Sequence, residues 1–142
     1  MGYVRPTVPH HPPRWFAAGL IMAAGVLLAG CGGSGLYEVS GRVTYDGRPL
    51  PAGVIYFDPD VARHNDGPQG YALVKDGAYS TAAKGGRGVA GGPHVVRIEG
   101  FDGRPGAELP LGKPLFTDYQ ERRDLPRARS EQDFAVPKGG KH

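Results

Sequence analysis

The chain has 142 residues, among them 24 glycines, 14 prolines and one cysteine, and carries a formal charge of +3. The length allows one domain, the single cysteine excludes a disulfide framework and a cysteine-cluster zinc site, and the charge is too small to argue for nucleic acid. Glycine and proline at this density oppose long helices, yet hydrophobic residues at 39% and aromatics at 9% suffice for a core.

The first thirty residues read as an address. Arg5 and Arg14 lie in a stretch without acidic residues, and Trp15 to Leu28 is an unbroken apolar run, WFAAGLIMAAGVLL. Fourteen helical residues rise about 21 Å, short of a roughly 30 Å hydrocarbon core. A basic start, a short apolar run and small residues after it describe a secretory signal peptide. Its ending, Leu28-Ala29-Gly30-Cys31, resembles the bacterial lipobox. The resemblance implies cleavage before Cys31, a diacylglycerol on its thiol and an acyl group on its new amine. The lipid is covalent, and no cofactor is expected. Residues 31–37 are then the lipidated cysteine and a Gly/Ser tether. Gly32 stands where an Asp would favour inner-membrane retention, so the expected location is the outer membrane.

Removal of residues 1–30 leaves 112 residues. Val39 to Tyr45 alternates with period two, as a half-buried strand does, with Val39, Val43 and Tyr45 on one face. Asp46-Gly47 supplies a turn. Gly53 to Phe57 is a second strand stopped by Asp58-Pro59, and a polar loop follows from Asp60 to Gln69. Gly70 to Lys75 and Ala78 to Thr81 flank Asp76-Gly77, the strongest hairpin signal in the chain. Residues 84–93 form a glycine-rich loop, and His94 to Glu99 is the next strand. Gly100 to Asp124 shows no sustained period and reads as a long loop with one short element at Leu115 to Tyr119. Gln132 to Val136 is the final strand, and residues 138–142 form a tail. The expected core is Val43, Leu50, Ile55, Phe57, Tyr79, Val96, Ile98 and Phe134, in a small antiparallel β-sandwich.

The segment VSGRVTYDGRPL (Val39 to Leu50) resembles the opening of the carboxypeptidase regulatory-like domain. PAGVIYF (Pro51 to Phe57), DGAYS (Asp76 to Ser80) and GPHVVRI (Gly92 to Ile98) resemble its later strands, with His94 where that family usually has Tyr. With the lipobox, the chain resembles short bacterial lipoproteins of the planctomycete type. The resemblance covers about residues 38–100, and the expected domain spans 38–137. It implies a transthyretin-like (prealbumin-type) β-sandwich of about seven strands with Greek-key connections.

Several arrangements bear on chemistry. Gly86-Arg87-Gly88-Val89-Ala90-Gly91 spells G-x-G-x-x-G, but a β-branched strand follows it instead of the helix whose N-terminus would face a pyrophosphate. It reads as an inter-strand loop. Asp58, Asp60, Asn65 and Asp66 bring four oxygen-bearing side chains into nine residues, a weak calcium candidate in what is also ordinary turn material. His64, His94 and His142 lack zinc-peptidase spacing, and Ser40, Ser80 and Ser130 lack an activating signature. The chain also lacks the C-terminal Tyr-Arg-Gly-Ser of hydroxyisourate hydrolase, an enzyme of the same implied fold. His94 and Arg97 fall on opposite faces of one strand. Arg122, Arg123, Arg127 and Arg129 are interleaved by Glu121, Asp124, Glu131 and Asp133, as on a solvated face.

The expectation is therefore a non-enzymatic lipoprotein anchored at the membrane through Cys31. Its domain serves as a structural or interaction module, with an envelope protein or glycan as partner and no nucleic acid. A ligand-binding module for envelope glycan or calcium is the alternative, and a hydroxyisourate-hydrolase-like enzyme comes third.

Overall fold

The computed structural model describes residues 2–3 and 35–139. Leu28, Ala29, Gly30, Cys31, the apolar run before them and His142 lie outside the described residues. The chain divides into two units, Met1–Cys31 and Gly32–His142, and all of the elements named below belong to the second.

Among the described residues the elements are β1 (Val39–Tyr45), β2 (Arg48–Pro49), β3 (Ala52–Pro59), a 3-10 turn (Val61–Arg63), β4 (Gly70–Lys75), β5 (Ala78–Ser80), β6 (Gly92–Phe101), β7 (Pro114–Leu125), β8 (Ser130–Glu131) and β9 (Phe134–Val136). The protein is all-β. Its sheet follows the order β2-β1-β5-β4-β3-β6-β7 and curls into a half-barrel. Pairing along this path is antiparallel, while β8 and β9 return to run parallel to β1.

The two Asp-Gly pairs turn the chain as expected: Asp46 and Asp76 both take φ +50, each followed by a glycine at positive φ. These are the left-handed values that such turns demand. Two strands outrun their expected limits. β3 continues through Asp58-Pro59 because pairing with β6 persists to Pro59↔His94, and a proline lacking its N–H is tolerated at a strand end. β6 begins at Gly92, inside the expected glycine-rich loop.

The largest correction is β7, twelve residues where the sequence suggests a long loop. Its inward residues include Phe116, Tyr119 and Leu125, all buried, together with the charged Glu121 and Arg123. Phe116 pairs with Gly100 and Tyr119 with Ile98, so a register shift inserts one extra residue between them. Such a bulge breaks the alternation that marks a strand, and the inward charges hide what remains of it.

All eight expected core residues are buried, joined by Val39, Ala72, Val74, Val89, Phe116, Tyr119, Leu125 and Val136. Phe57, Tyr79 and Phe134 form a triangle with ring centroids 6.1, 6.4 and 6.3 Å apart, in the favourable range for tilted aromatic contacts. Burial of each such side chain contributes roughly 1.5–3 kcal/mol. This cluster lies wholly within Gly32–His142.

β1 joins the sheet to the returning β8–β9 segment. Ser40 to Arg42 pair with β5, whereas Val43 to Tyr45 pair with β9. At the change-over stands Gly41, where any Cβ would overlap the Gln132 carbonyl. Gly41→Ala is expected to lower the unfolding free energy by about 2 kcal/mol, since neither backbone can retreat without breaking its ladder. Urea unfolding measures this, and an unchanged midpoint would show that the β8–β9 segment is free to withdraw.

Candidate functional site

Strand alternation sends every second side chain of the central strands away from the core. Cross-strand pairing aligns Tyr71 of β4 with Tyr56 of β3, Tyr56 with Arg97 of β6, and Arg97 with Gln120 of β7. These four side chains form one row across four adjacent strands of the outer sheet face. Tyr71 is 36% exposed.

The row is held in place by its neighbours. Arg97 Nε donates to Asp58 Oδ2 at 2.5 Å, and Gln69 Nε2 donates to Asp58 Oδ1 at 2.5 Å. The Arg97 guanidinium lies 4.8 Å above the centre of the Tyr56 ring, a cation–π contact. Burial opposes ionisation of Asp58, but the bonds from Arg97 and Gln69 outweigh it and hold the carboxyl below its usual range. Burial, with the Glu99 carboxylate, pushes the Tyr56 phenol up, so it remains a hydroxyl donor at neutral pH. At the β6–β7 end the row meets a shallow depression lined by Val95, Gln120, Glu121 and Arg122.

Behind this face, polar side chains serve the fold. Asn65 is buried and donates to the Gly91 and Pro93 carbonyls at 3.0 and 2.6 Å. His94 is fully buried, with Nδ1 2.8 Å from the Gly92 carbonyl. A carbonyl only accepts, so Nδ1 carries the proton. Together these bonds pin the 60–66 loop to the start of β6.

At the free side of β7 a second network closes the half-barrel. Tyr119 Oη donates to Glu121 at 2.7 Å, Arg123 pairs with the same carboxylate, and Arg123 Nη1 donates to Gln132 Oε1 at 3.1 Å. The Arg123 guanidinium sits 4.7 Å from the Phe134 ring centre. Burial and the bond to Glu121 push the Tyr119 phenol up.

The structure separates the calcium candidates. Asp58 is taken by Arg97 and Gln69 on the outer face, and Asn65 spends its amide on carbonyls. Asp60 is buried with Arg122 Nε 3.7 Å away, and Asp66 is exposed. Among the described residues no three His, Cys, Asp or Glu side chains are grouped to hold a metal ion.

The arginine patch also disperses. Arg122 faces Asp60, Arg129 pairs with Glu38 at 3.2 Å, Arg127 is exposed, and Arg123 turns inward rather than joining a solvated face. His94 and Arg97 point to opposite faces as expected.

The glycine-rich segment is more ordered than an inter-strand loop. Arg87 exchanges backbone bonds with Tyr71, and Val89 does so with Tyr37, its side chain fully buried. A Cβ on Gly88 would come within 2.7 Å of the Tyr37 carbonyl, so glycine is what permits this approach. Of the outer row, Arg97 alone stands out as a candidate in the sequence. Tyr56, Tyr71 and Gln120 were reachable from strand alternation only once the pairing register was known. The chain matches no family model and no curated protein.

Two predictions concern this region. Asn65→Ala leaves the buried Gly91 carbonyl without its donor and the Pro93 carbonyl with the Asp60 N–H alone, and is expected to cost about 1–2 kcal/mol, read as a lowered denaturant midpoint. The depressed pKa of Asp58 means that its share of stability is present above the unfolded-state value and is lost as pH falls through the folded-state value. Asp58→Asn should therefore flatten the acid limb of the stability–pH curve, measured by urea unfolding from neutral to acidic pH. A variant as acid-sensitive as the parent contradicts the assignment.

Proposed function

We propose that the chain is a non-enzymatic bacterial lipoprotein, anchored through lipid on Cys31, whose β domain is an interaction module of the cell envelope. The observation that carries this reading is Leu28-Ala29-Gly30-Cys31 at the close of a short apolar run, with the chain's one cysteine at the position the motif requires. Outer-membrane attachment is part of the proposal, supported by Gly32 in place of Asp.

Among the described residues the first held by backbone pairing is Tyr37, bridged to Val89. Six residues of extended chain span at most about 20 Å, which keeps the domain near the surface to which Cys31 is tied. The domain itself is proposed to be transthyretin-like and carboxypeptidase regulatory-like. Its all-β, curled antiparallel sheet supports this. So does the placing of the motifs: Val39 to Leu50 covers β1, a turn and β2, Asp76 to Ser80 covers a turn and β5, and Gly92 to Ile98 lies on β6. The fully buried, carbonyl-bonded His94 supports a structural rather than catalytic histidine.

Cys31→Ser tests the anchor. The parent is expected to incorporate labelled palmitate and fractionate with membrane. The variant should lose the label and either remain unprocessed or leave the membrane fraction. Unchanged processing, mass and fractionation would overturn the proposal.

A further inference from the structure

We infer that the outer row Tyr71–Tyr56–Arg97–Gln120, with Asp58 and Gln69 beside it, is a binding platform for a neutral, β-linked oligosaccharide chain. This rests on the interaction-module reading and names the partner class.

The first argument is shape. The four residues occupy four neighbouring strands, so the row extends about 14 Å at the usual inter-strand spacing. It crosses the outer face of the curled sheet strand by strand, so that an extended chain of rings can follow it. Tyr71 offers aromatic surface to the C–H face of a pyranose ring, and Arg97, stacked on Tyr56, and Gln120 follow with planar donors and acceptors for hydroxyls. The strands beneath are paired on both sides from β4 to β6, so this part of the face has no free edge for strand addition.

The second argument is preorganisation. Arg97 Nε is committed to Asp58, which leaves its Nη donors for a ligand. Gln69 fixes the other oxygen of the same carboxylate, so the guanidinium and the Tyr56 ring beneath it are already oriented. A ligand that meets ordered side chains avoids part of the entropic cost of ordering them.

The third argument is charge. Arg97 is balanced by Asp58, Arg122 faces Asp60, and Glu99, on the same outer side of β6, adds a negative charge. An anionic polymer therefore meets no unbalanced cation along this row, whereas a neutral polyhydroxylated chain needs none.

The test is a nuclear magnetic resonance titration of residues 32–142, the compact unit that holds the core cluster of the described residues, with cellotetraose and chitotetraose. Saturable amide shifts confined to the neighbourhood of Tyr56, Tyr71, Arg97 and Gln120 are expected for at least one sugar. Tyr71→Ala should weaken binding roughly five- to tenfold, the equivalent of one lost aromatic contact, with its urea midpoint unchanged. Arg97→Gln should weaken it as well.

Polygalacturonate oligomers serve as the anionic control and should shift nothing. Absence of shifts with both neutral sugars at millimolar concentration would overturn the inference. So would shifts elsewhere on the domain, binding indifferent to Tyr71→Ala, or tighter binding of the anionic control. Because the lipid anchor is absent from residues 32–142, a negative result here leaves the palmitate-labelling result on Cys31 standing, and the reverse also holds.

Discussion

The return of the chain at Gln132-Asp133 onto Gly41 is the constraint on which the rest of the structure depends. Three bonds fix it: Gln132 N–H to the Ser40 carbonyl at 2.8 Å, Arg42 N–H to Asp133 Oδ1 at 2.7 Å, and Tyr79 Oη–H to the Gln132 carbonyl at 2.6 Å. A side-chain carboxylate thus replaces a backbone acceptor where β8 gives way to β9, and a phenol satisfies the carbonyl that β1 does not. Burial, aided by the Asp133 charge, pushes the Tyr79 phenol up, so this donor keeps its proton. Without this seam Phe134 would not reach Phe57 and Tyr79, and the half-barrel would lose the aromatic triangle at its centre.

The seam explains the unusual inner face of β7. Among the described residues this strand ends the sheet path, with β6 as its one ladder partner. Edge strands invite unwanted pairing, and inward charge is one way proteins discourage it. Glu121 and Arg123 serve that purpose, yet they are not left as uncompensated charges. Each satisfies the other, Tyr119 donates to the carboxylate, and Arg123 reaches Gln132 and the Phe134 ring across the gap. One ionic network both guards the edge and ties it to the segment that closes on β1.

What could be read from the sequence divides along a physical line. Turns were legible because Asp46-Gly47 and Asp76-Gly77 state a backbone geometry locally. Core residues such as Ile55, Phe57, Val96 and Ile98 were legible because strands buried on one face print a period of two. β7 was not, because its bulge interrupts the period and its inward Glu121 and Arg123 find partners remote in sequence. The order imposed on Arg87 and Val89 was hidden for the same reason: it comes from Tyr71 and Tyr37, and the local sequence holds only glycine. The candidate platform falls between these cases. Each of its side chains can be placed on an outward face by alternation, but their alignment is a product of register, which requires three separate strand pairings to be known.

The position of the platform can be set against where the chain enters the domain. Tyr37 and Glu38 enter beside Val89 and Arg129, at the end of the domain where β1 begins and β7 finishes. Loops at that end include residues 60–69 and 126–129, and a ligand face built from their tips would sit beside the entry of the chain at Tyr37. The outer row instead crosses the flanks of β4, β3, β6 and β7, with Tyr56, Arg97 and Gln120 midway along their strands and Tyr71 near the entry end of β4.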